Sequence, residues 1–192
     1  DYSSIVFFFF WTYAVKKGHL NSPILVDISQ TGDEKKISHL AVQTSRLTTD
    51  NSGKIWWSEN VTDSRWSLKT GSVLRVLSGK KARKVARKGL RYNPTPDPSG
   101  QLLSSTAYSV DGRSSLDILD KEGELIRSYA APDTIQIVET AWIGEKEVYT
   151  TCVSANGHGI YRLDLDQGIW HNVLGPQPVT VRDLKSAGQE LI

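Results

Sequence analysis

The sequence predicts an all-β fold, and three observations lead to that prediction. Helical periodicity is almost absent, because no long stretch combines apolar residues at three- and four-residue spacing with a helix cap. Short apolar runs recur instead, separated by turn pairs such as Asp-Gly and Asn-Gly, which supply the positive φ angles of tight hairpins. The pattern also repeats along the chain at a nearly constant interval. Short strands spaced this evenly predict an antiparallel meander.

The first apolar run is IVFFFFWTYAV at residues 5–15. We predict that it forms one buried strand, because a bilayer-spanning helix needs roughly 20 apolar residues. The run also lacks the basic leader and the small-residue cleavage site of a signal peptide. Further strands are predicted at residues 24–28, 55–57, 73–77, 102–110, 116–119, 148–153 and 160–165.

The strands fall into repeating units. The equivalent residues of two successive units are Gly112 and Gly157, Leu119 and Leu163, Asp120 and Asp164, and Gly123 and Gly168, at offsets of 45, 44, 44 and 45. One unit earlier, Gly53 precedes Gly100 by 47 residues. A period of about 45 residues with four short strands per unit is typical of a β-propeller blade.

Packing physics gives the same fold. A four-stranded unit cannot bury both of its faces alone, so neighbouring units must stack face to face. Middle strands should then be apolar on both faces, as in FFFFW, ILVDI, KIWW and EVYTTCV, and outer strands polar, as in KKARKVARK and ELIRSY. We predict a single propeller segment, an incomplete ring with blades at residues 1–40, 41–89, 90–132 and 133–177, and with 178–192 opening the next. Because methionine is absent even at position 1, we expect a piece of a longer protein.

The repeats resemble those of a known family. Residues 93–101 (NPTPDPSGQ) resemble the Pro-x-x-Ser-Pro-Asp-Gly-Lys blade signature of TolB-like propellers, which are related to WD repeats. The expected Ser-Pro-Asp-Gly corner reads Asp-Pro-Ser-Gly here, and the next blade keeps only its aromatic residue, in WIGEK at 142–146. Residues 115–123 and 159–168 are similar to the third strand of that family. The resemblance implies a bacterial propeller of the periplasm or cell surface, associated with the outer membrane, that docks proteins, peptides or glycans.

Catalytic and metal-binding patterns are missing from the sequence. The carboxylates Asp111, Asp120, Asp164 and Asp166 fall at turns or strand ends, where we interpret them as turn caps. The four histidines lack zinc-ligand spacing, and neither a Gly-x-Ser-x-Gly elbow nor a phosphate-binding loop occurs. The single Cys152 is predicted to be buried and inert. We therefore predict a non-enzymatic chain without cofactor or metal.

A basic run extends from Lys80 to Arg91. It could bind anions, lipopolysaccharide or nucleic acid, or it could be an exposed outer strand whose lysines prevent edge-to-edge aggregation. We favour the exposed strand, and predict no nucleic-acid partner, because no aromatic residues alternate with the charges.

The remaining hypothesis concerns binding. Propeller ligands usually meet the axial faces, where loops converge, and loop aromatics paired with arginine are typical binding anchors. The candidate contact residues are Arg65, Trp66, Tyr108, Arg113 and His158. The alternatives are that Trp66 packs against its own blade and that His158 is a solvated loop residue. The leading hypothesis is a non-catalytic module that binds a protein, a peptide or a glycan at the bacterial envelope. The alternatives are a propeller accessory to a hydrolase whose catalytic residues lie outside this chain, and a basic surface that docks on anionic envelope components.

Overall fold

A computed structural model describes residues 2–8, 11–17, 23–41, 43–62, 70–79, 81–85, 90–132, 134–187 and 190–192. Every regular element in these ranges is a β-strand, which confirms the all-β prediction. None of the described segments forms a helix with the length and hydrophobicity needed to cross a membrane.

The strands form four antiparallel sheets of four, and each sheet is connected in sequence order. Blade 1 consists of β1 (Tyr2–Phe8), β2 (Trp11–Lys17), β3 (Pro23–Ile28) and β4 (Glu34–His39). Blade 2 consists of β5 (Thr48–Thr49), β6 (Ile55–Thr62), β7 (Thr70–Ser78) and β8 (Lys81–Lys84). Blade 3 consists of β9 (Leu90–Pro96), β10 (Leu102–Tyr108), β11 (Ser114–Asp120) and β12 (Leu125–Ala130). Blade 4 consists of β13 (Gln136–Ile143), β14 (Glu147–Ser154), β15 (Gly157–Asp164) and β16 (Ile169–Gln177). A small hairpin, β17 (Ser186–Ala187) and β18 (Glu190–Leu191), follows blade 4 and contacts β13.

The prediction of one buried strand at residues 5–15 is wrong. The run is divided between β1 and β2, which pair antiparallel with Phe8 opposite Trp11. The middle strands of blade 1 are therefore β2 and β3, whereas Phe7 and Phe8 belong to the edge strand β1. Phe9 and Phe10 lie outside the described residues.

Apolar side chains fill the spaces between successive blades. Between blades 1 and 2 lie Leu25, Ile55, Trp57 and Leu77, between blades 2 and 3 lie Trp56, Leu74, Leu103 and Leu119, and between blades 3 and 4 lie Leu116, Ile118, Trp142 and Leu163. The edge strands β5, β9 and β13 also contact one another in sequence, so they form the inner edge of the array. Stacked four-stranded sheets in an unclosed array are the blades of an incomplete propeller, as predicted.

Carboxylates cap the turns of the blades, as the sequence indicated. Asp120 Oδ1 accepts hydrogen bonds from the backbone N–H groups of Glu122 and Glu124, both at 2.9 Å. Its counterpart in blade 4, Asp164, accepts one from Gln167 N at 2.9 Å. The predicted caps Asp111 and Asp166 instead form exposed ion pairs, with Arg113 and Lys146.

The same repeat places two buried carboxylates at the preceding turns. Asp97 accepts bonds from Leu102 N at 2.8 Å and Ser99 N at 3.2 Å. In blade 2, Asp50 accepts bonds from the backbone N–H groups of Ser52 and Lys54. The spacing of 47 residues between these two carboxylates follows directly from the blade period.

The basic run divides between two surroundings. Lys81, Arg83 and Lys84 are exposed on the outer strand β8, as the favoured reading predicted. The prediction of an exposed outer strand is wrong for Arg91, because this residue lies on the inner strand β9. Its guanidinium donates to the buried carboxylate of Asp117 at 2.7 Å.

Candidate functional site

A concave site of about 510 Å³ lies between blades 2 and 3, beside the inner strand β9. We call it the inner-strand pocket. It is lined by Gln43, Thr44, Ser45, Ser58, Asn60, Tyr92, Asn93 and Tyr108. These residues come from the segment before β5 and from β6, β9 and β10, so the pocket exists only because two blades stack.

The segment before β5 extends the inner edge of blade 2. Thr44 forms an isolated antiparallel bridge with Glu59, and Asn60 N donates to Gln43 O at 3.0 Å. Ser45 and Ser58 bond to each other twice: Ser45 N donates to Ser58 O at 2.9 Å, and Ser58 N donates to Ser45 Oγ at 2.8 Å. These bonds hold residues 43–45 against β6 and place the Gln43 and Asn60 amides together. The Asn60 Nδ2 group donates to Gln43 Oε1.

Asn93 enters the pocket because of an irregularity in β9. The pairing register shifts between Ser104 and Thr106 on β10, and opposite this shift Asn93 has a φ of 52°. Asparagine tolerates this left-handed region better than most residues. Asn93 N donates to Ser58 Oγ at 3.2 Å, and Asn93 Nδ2 donates to the carbonyl of Val138 at 2.6 Å. The side chain is therefore held between blades 2 and 4.

Two tyrosines form the aromatic part of the pocket. The ring centroids of Tyr92 and Tyr108 are 5.8 Å apart, with the planes tilted by 55°, a geometry that aromatic pairs favour. The Tyr108 hydroxyl donates to Ile137 O at 2.8 Å, which ties the ring to blade 4. Burial raises the pKa of both phenols, and for Tyr108 the neighbouring Tyr92 and Cys152 raise it further. Both phenols are neutral at physiological pH.

The chemistry of the lining is uniform. Its side chains are amides, hydroxyls and phenols, and none carries a charge at neutral pH. Among the described residues, no group of three or more His, Cys, Asp and Glu side chains could hold a metal ion. Such a surface can accept and donate hydrogen bonds and can pack against a flat apolar face, which suits recognition of a neutral ligand.

A partly buried ion pair, next to Ser45 in the chain, joins blades 2 and 4. The Arg46 guanidinium is 3.5 Å from Glu139 Oε2 and donates to the carbonyls of Thr140 and Leu184 at 3.3 and 3.0 Å. Glu139 also accepts from Asp183 N at 2.9 Å. This network links the segment before β5, the inner strand β13 and the segment after blade 4.

The structure places the contact residues predicted from sequence at separate positions. Tyr108 lines the pocket. Arg113 lies in the exposed turn after β10, where Ser109 and Arg113 donate hydrogen bonds to Asp111 and lower the pKa of that carboxyl to about 2. His158 lies on β15, opposite Val153, and is not part of the pocket. Arg65 and Trp66 lie outside the described residues. The contact set as a whole stays a prediction.

Sequence reasoning missed most of the pocket. Tyr92, Asn60 and Gln43 were not predicted as contact residues, because each lies in an ordinary polar or strand-like context, and Asn93 was used only as the first residue of the TolB-like motif. A usable signal was the pair Tyr92-Asn93 directly before a proline. Packing between blades requires apolar side chains. An aromatic residue followed by an amide at the predicted inner edge of a blade therefore indicates a role other than this packing.

Comparison with known proteins supports the fold through structural similarity and not through sequence similarity. No protein-family profile matches the chain, and no curated protein matches it in sequence. The structure of TolB from Acinetobacter baumannii matches with a TM-score of 0.66 at 10% identity, over 88% of this chain and 41% of that chain. The chain has a TolB-like propeller fold.

Two enzymes share this TolB-like fold with the chain. A puromycin-hydrolyzing peptidase of Mycobacterium tuberculosis matches with a TM-score of 0.63 at 10% identity, over 91% of this chain and 31% of that one. A gluconolactonase of Xanthomonas campestris matches with a TM-score of 0.63 at 14% identity, over 94% of this chain and 64% of that one. In all three comparisons the chain spans less than two thirds of the matched structure. Identities this low show the fold, which TolB and enzymes have in common.

Proposed function

We propose that this chain is a non-catalytic propeller module that binds a partner through the inner-strand pocket. The observation that carries the proposal is the pocket itself, about 510 Å³ lined by amides and phenols from two stacked blades. Ligand sites typically occupy about 300–1,000 Å³ and combine an apolar surface with a few placed polar groups. This pocket has a volume in that range, and the rings of Tyr92 and Tyr108 supply its apolar surface.

The support for binding without catalysis is chemical. General acid–base catalysis uses a group with a pKa near the working pH, but the titratable groups in the lining are two phenols whose pKa is raised by burial. Cys152 is a poor nucleophile, because burial raises the pKa of its thiol to about 11. A pocket of neutral donors and acceptors favours holding a ligand over transforming it.

A location at the bacterial envelope is part of the same proposal. It rests on the resemblance of residues 93–101 and their repeats to TolB-like propellers, together with the shared fold. The partner classes that this resemblance implies are proteins, peptides and glycans.

A second candidate is a propeller accessory to a hydrolase. It is favoured by the match to the puromycin-hydrolyzing peptidase, in which this chain accounts for 31% of the matched structure. The coding sequence that flanks this chain in its genome distinguishes the two candidates. A hydrolase domain in the same reading frame would favour the accessory role.

The proposed site can be tested by ligand selection followed by substitution. A peptide library and a glycan array are screened against the immobilised chain, and each binder is measured again with Tyr92→Ala and Asn60→Ala. We expect binders to lose affinity in both variants, because each substitution removes part of the pocket lining. Tyr149→Ala and Asn172→Ala are matched controls, since these residues lie on blade 4 and outside the pocket.

Two results would count against the proposal. Binding that survives both pocket substitutions would place the ligand site elsewhere, and Arg65→Ala combined with Trp66→Ala would then test the loop predicted from sequence. Turnover of ester or anilide substrates by the purified chain, abolished by Tyr92→Ala, would make the pocket an active site.

A further inference from the structure

The polar groups of the inner-strand pocket leave particular donors and acceptors for a ligand. The Asn60–Gln43 hydrogen bond uses one amide donor and one amide acceptor, which leaves Asn60 Oδ1 to accept and Gln43 Nε2 to donate. The Tyr92 hydroxyl has no hydrogen-bond partner within the described part of the chain. From this arrangement we infer that the pocket binds a neutral saccharide, an inference that rests on the proposed function and names its ligand class.

The donor and acceptor pattern matches hydroxyl groups. A sugar hydroxyl donates one hydrogen bond and accepts others, so a vicinal pair of hydroxyls can bond to both members of the Asn60–Gln43 pair at once. Asn93 adds an acceptor, its Oδ1, while one of its two Nδ2 hydrogens is bonded to Val138 O. Three amide side chains in one concave site therefore provide a hydrogen-bonding set suited to several adjacent hydroxyls.

The tyrosine pair supplies the second requirement of saccharide binding. A pyranose ring has a face of C–H groups, which packs against an aromatic ring without a charge on either partner. Tyr108 is fixed by its bond to Ile137 O, and Tyr92 packs against it at 5.8 Å. The rings are thus positioned before a ligand arrives, which reduces the entropy lost on binding.

An extended peptide fits the pocket less well. Peptides that add to a sheet edge bind through free backbone N–H and C=O groups. On β9, Arg91 N already donates to Ser72 Oγ at 2.6 Å and Asn93 N to Ser58 Oγ at 3.2 Å. Two of the donors that a peptide strand would use are therefore occupied by blade 2.

Charged ligands are also disfavoured. Three ionic side chains that neighbour the lining residues in sequence are paired elsewhere: Glu59 with Arg75, Arg46 with Glu139, and Arg91 with Asp117. An acidic sugar would enter a site without a cationic side chain in its lining, at a cost in desolvation.

The experiment uses the whole chain and three classes of probe. Isothermal titration calorimetry is run with a panel of neutral di- and trisaccharides of glucose, galactose, mannose, xylose and N-acetylglucosamine. Trigalacturonate and an end-capped Ser/Thr/Gly heptapeptide are the charged and peptide probes. We expect at least one neutral saccharide to bind, with an affinity that falls about tenfold or more in Tyr92→Ala and in Asn60→Ala.

The same probes, tested with further variants, provide the controls and the results that would contradict the inference. Tyr149→Ala and Asn172→Ala should bind the saccharide within about twofold of the parent chain, and added salt should change the affinity little because no charges are paired. If the peptide or trigalacturonate binds and the pocket substitutions abolish it, the saccharide inference is wrong while the proposed binding function stands. If no neutral saccharide of the panel binds, the inference is also overturned, and the library selection alone then decides the proposed function.

Discussion

Replacing Trp142 with alanine measures how strongly one blade is held to the next. Trp142 lies on β13, is 2% exposed, and packs between blades 3 and 4 with Leu116 and Ile118. Its indole N–H donates to the Thr95 carbonyl of blade 3 at 2.9 Å. The side chain therefore contributes both apolar contact and a hydrogen bond across one blade junction.

The expected loss follows from these contacts. A buried tryptophan removes about 200 Å² from water, worth about 5 kcal/mol at 25 cal/mol/Å², and core Trp→Ala substitutions cost about 3–5 kcal/mol. The Thr95 carbonyl keeps a second donor, Ser104 Oγ at 3.2 Å, so the lost indole bond adds about 1 kcal/mol at most. We expect Trp142→Ala to lower the free energy of unfolding by about 3–5 kcal/mol.

Urea unfolding followed by far-UV circular dichroism gives this free energy by linear extrapolation. Trp142→Phe keeps most of the ring and should lose about 1–2 kcal/mol, which preserves the test if the alanine variant does not fold. Trp170→Ala is the matched control. Its indole also donates to a carbonyl, Ala130 O at 2.8 Å, but its side chain is only half-buried, so about 1–2 kcal/mol should be lost.

The comparison of the two tryptophans can refute the reasoning. If Trp142→Ala costs no more than Trp170→Ala, burial between blades 3 and 4 does not stabilise the array. A loss below about 1 kcal/mol would lead to the same conclusion, because it is far below the value for a fully buried indole.

Three further predictions follow from the turns, one glycine and the cysteine. Asp97→Ala should lose about 2–3 kcal/mol in urea unfolding, because removal of a buried cap leaves backbone N–H groups unpaired, whereas Asp120→Ala at the more exposed turn between β11 and β12 should lose about 1 kcal/mol; equal losses would contradict the role of burial. Gly159→Ala should lower the melting temperature markedly, because an added Cβ would lie 2.7 Å from the backbone oxygen of Leu174, and an unchanged calorimetric transition would show that the two strands separate easily. Burial raises the pKa of the Cys152 thiol from 9.0 to about 11, so the unfolded chain ionises first and the free energy of unfolding should fall as pH rises from 9 towards 11. At pH 8 the native thiol should react with Ellman's reagent far more slowly than in urea, and rapid native reaction would contradict its burial.

The parts of the fold that sequence predicts are those set by local chemistry. Glycines at positive φ, such as Gly112 and Gly123, mark turns by a conformation that other residues avoid. The caps at Asp120 and Asp164 were predictable because aspartate side chains in turns bond to nearby backbone N–H groups. The hairpin between β1 and β2 was missed because Phe9 and Phe10 provide no glycine, proline or asparagine signal, and a continuous apolar run does not show where a strand ends.

The pocket was beyond local reasoning. Gln43 and Asn60 meet because the segment before β5 pairs with β6, whereas Tyr92 and Tyr108 belong to the next blade. Their approach depends on the stacking of two sheets and on the irregularity at Asn93. Neither can be obtained from a period or a turn signal, since both are set by packing between residues far apart in sequence.

Comparison of equivalent positions separates residues that serve the blade from residues available to a ligand. On β10 and β14, Thr106 and Thr151 occupy equivalent places, and their partners on the inner strands are Tyr92 and Glu139. The repeat thus keeps the threonine and changes the residue beside it: in blade 4 the glutamate pairs with Arg46, while in blade 3 the tyrosine lines the pocket. A residue required by every blade must recur at the period, as the turn carboxylates do. Because the partner of the equivalent threonine in blade 4 is a glutamate, Tyr92 serves a role particular to the junction of blades 2 and 3, where we propose that a ligand binds.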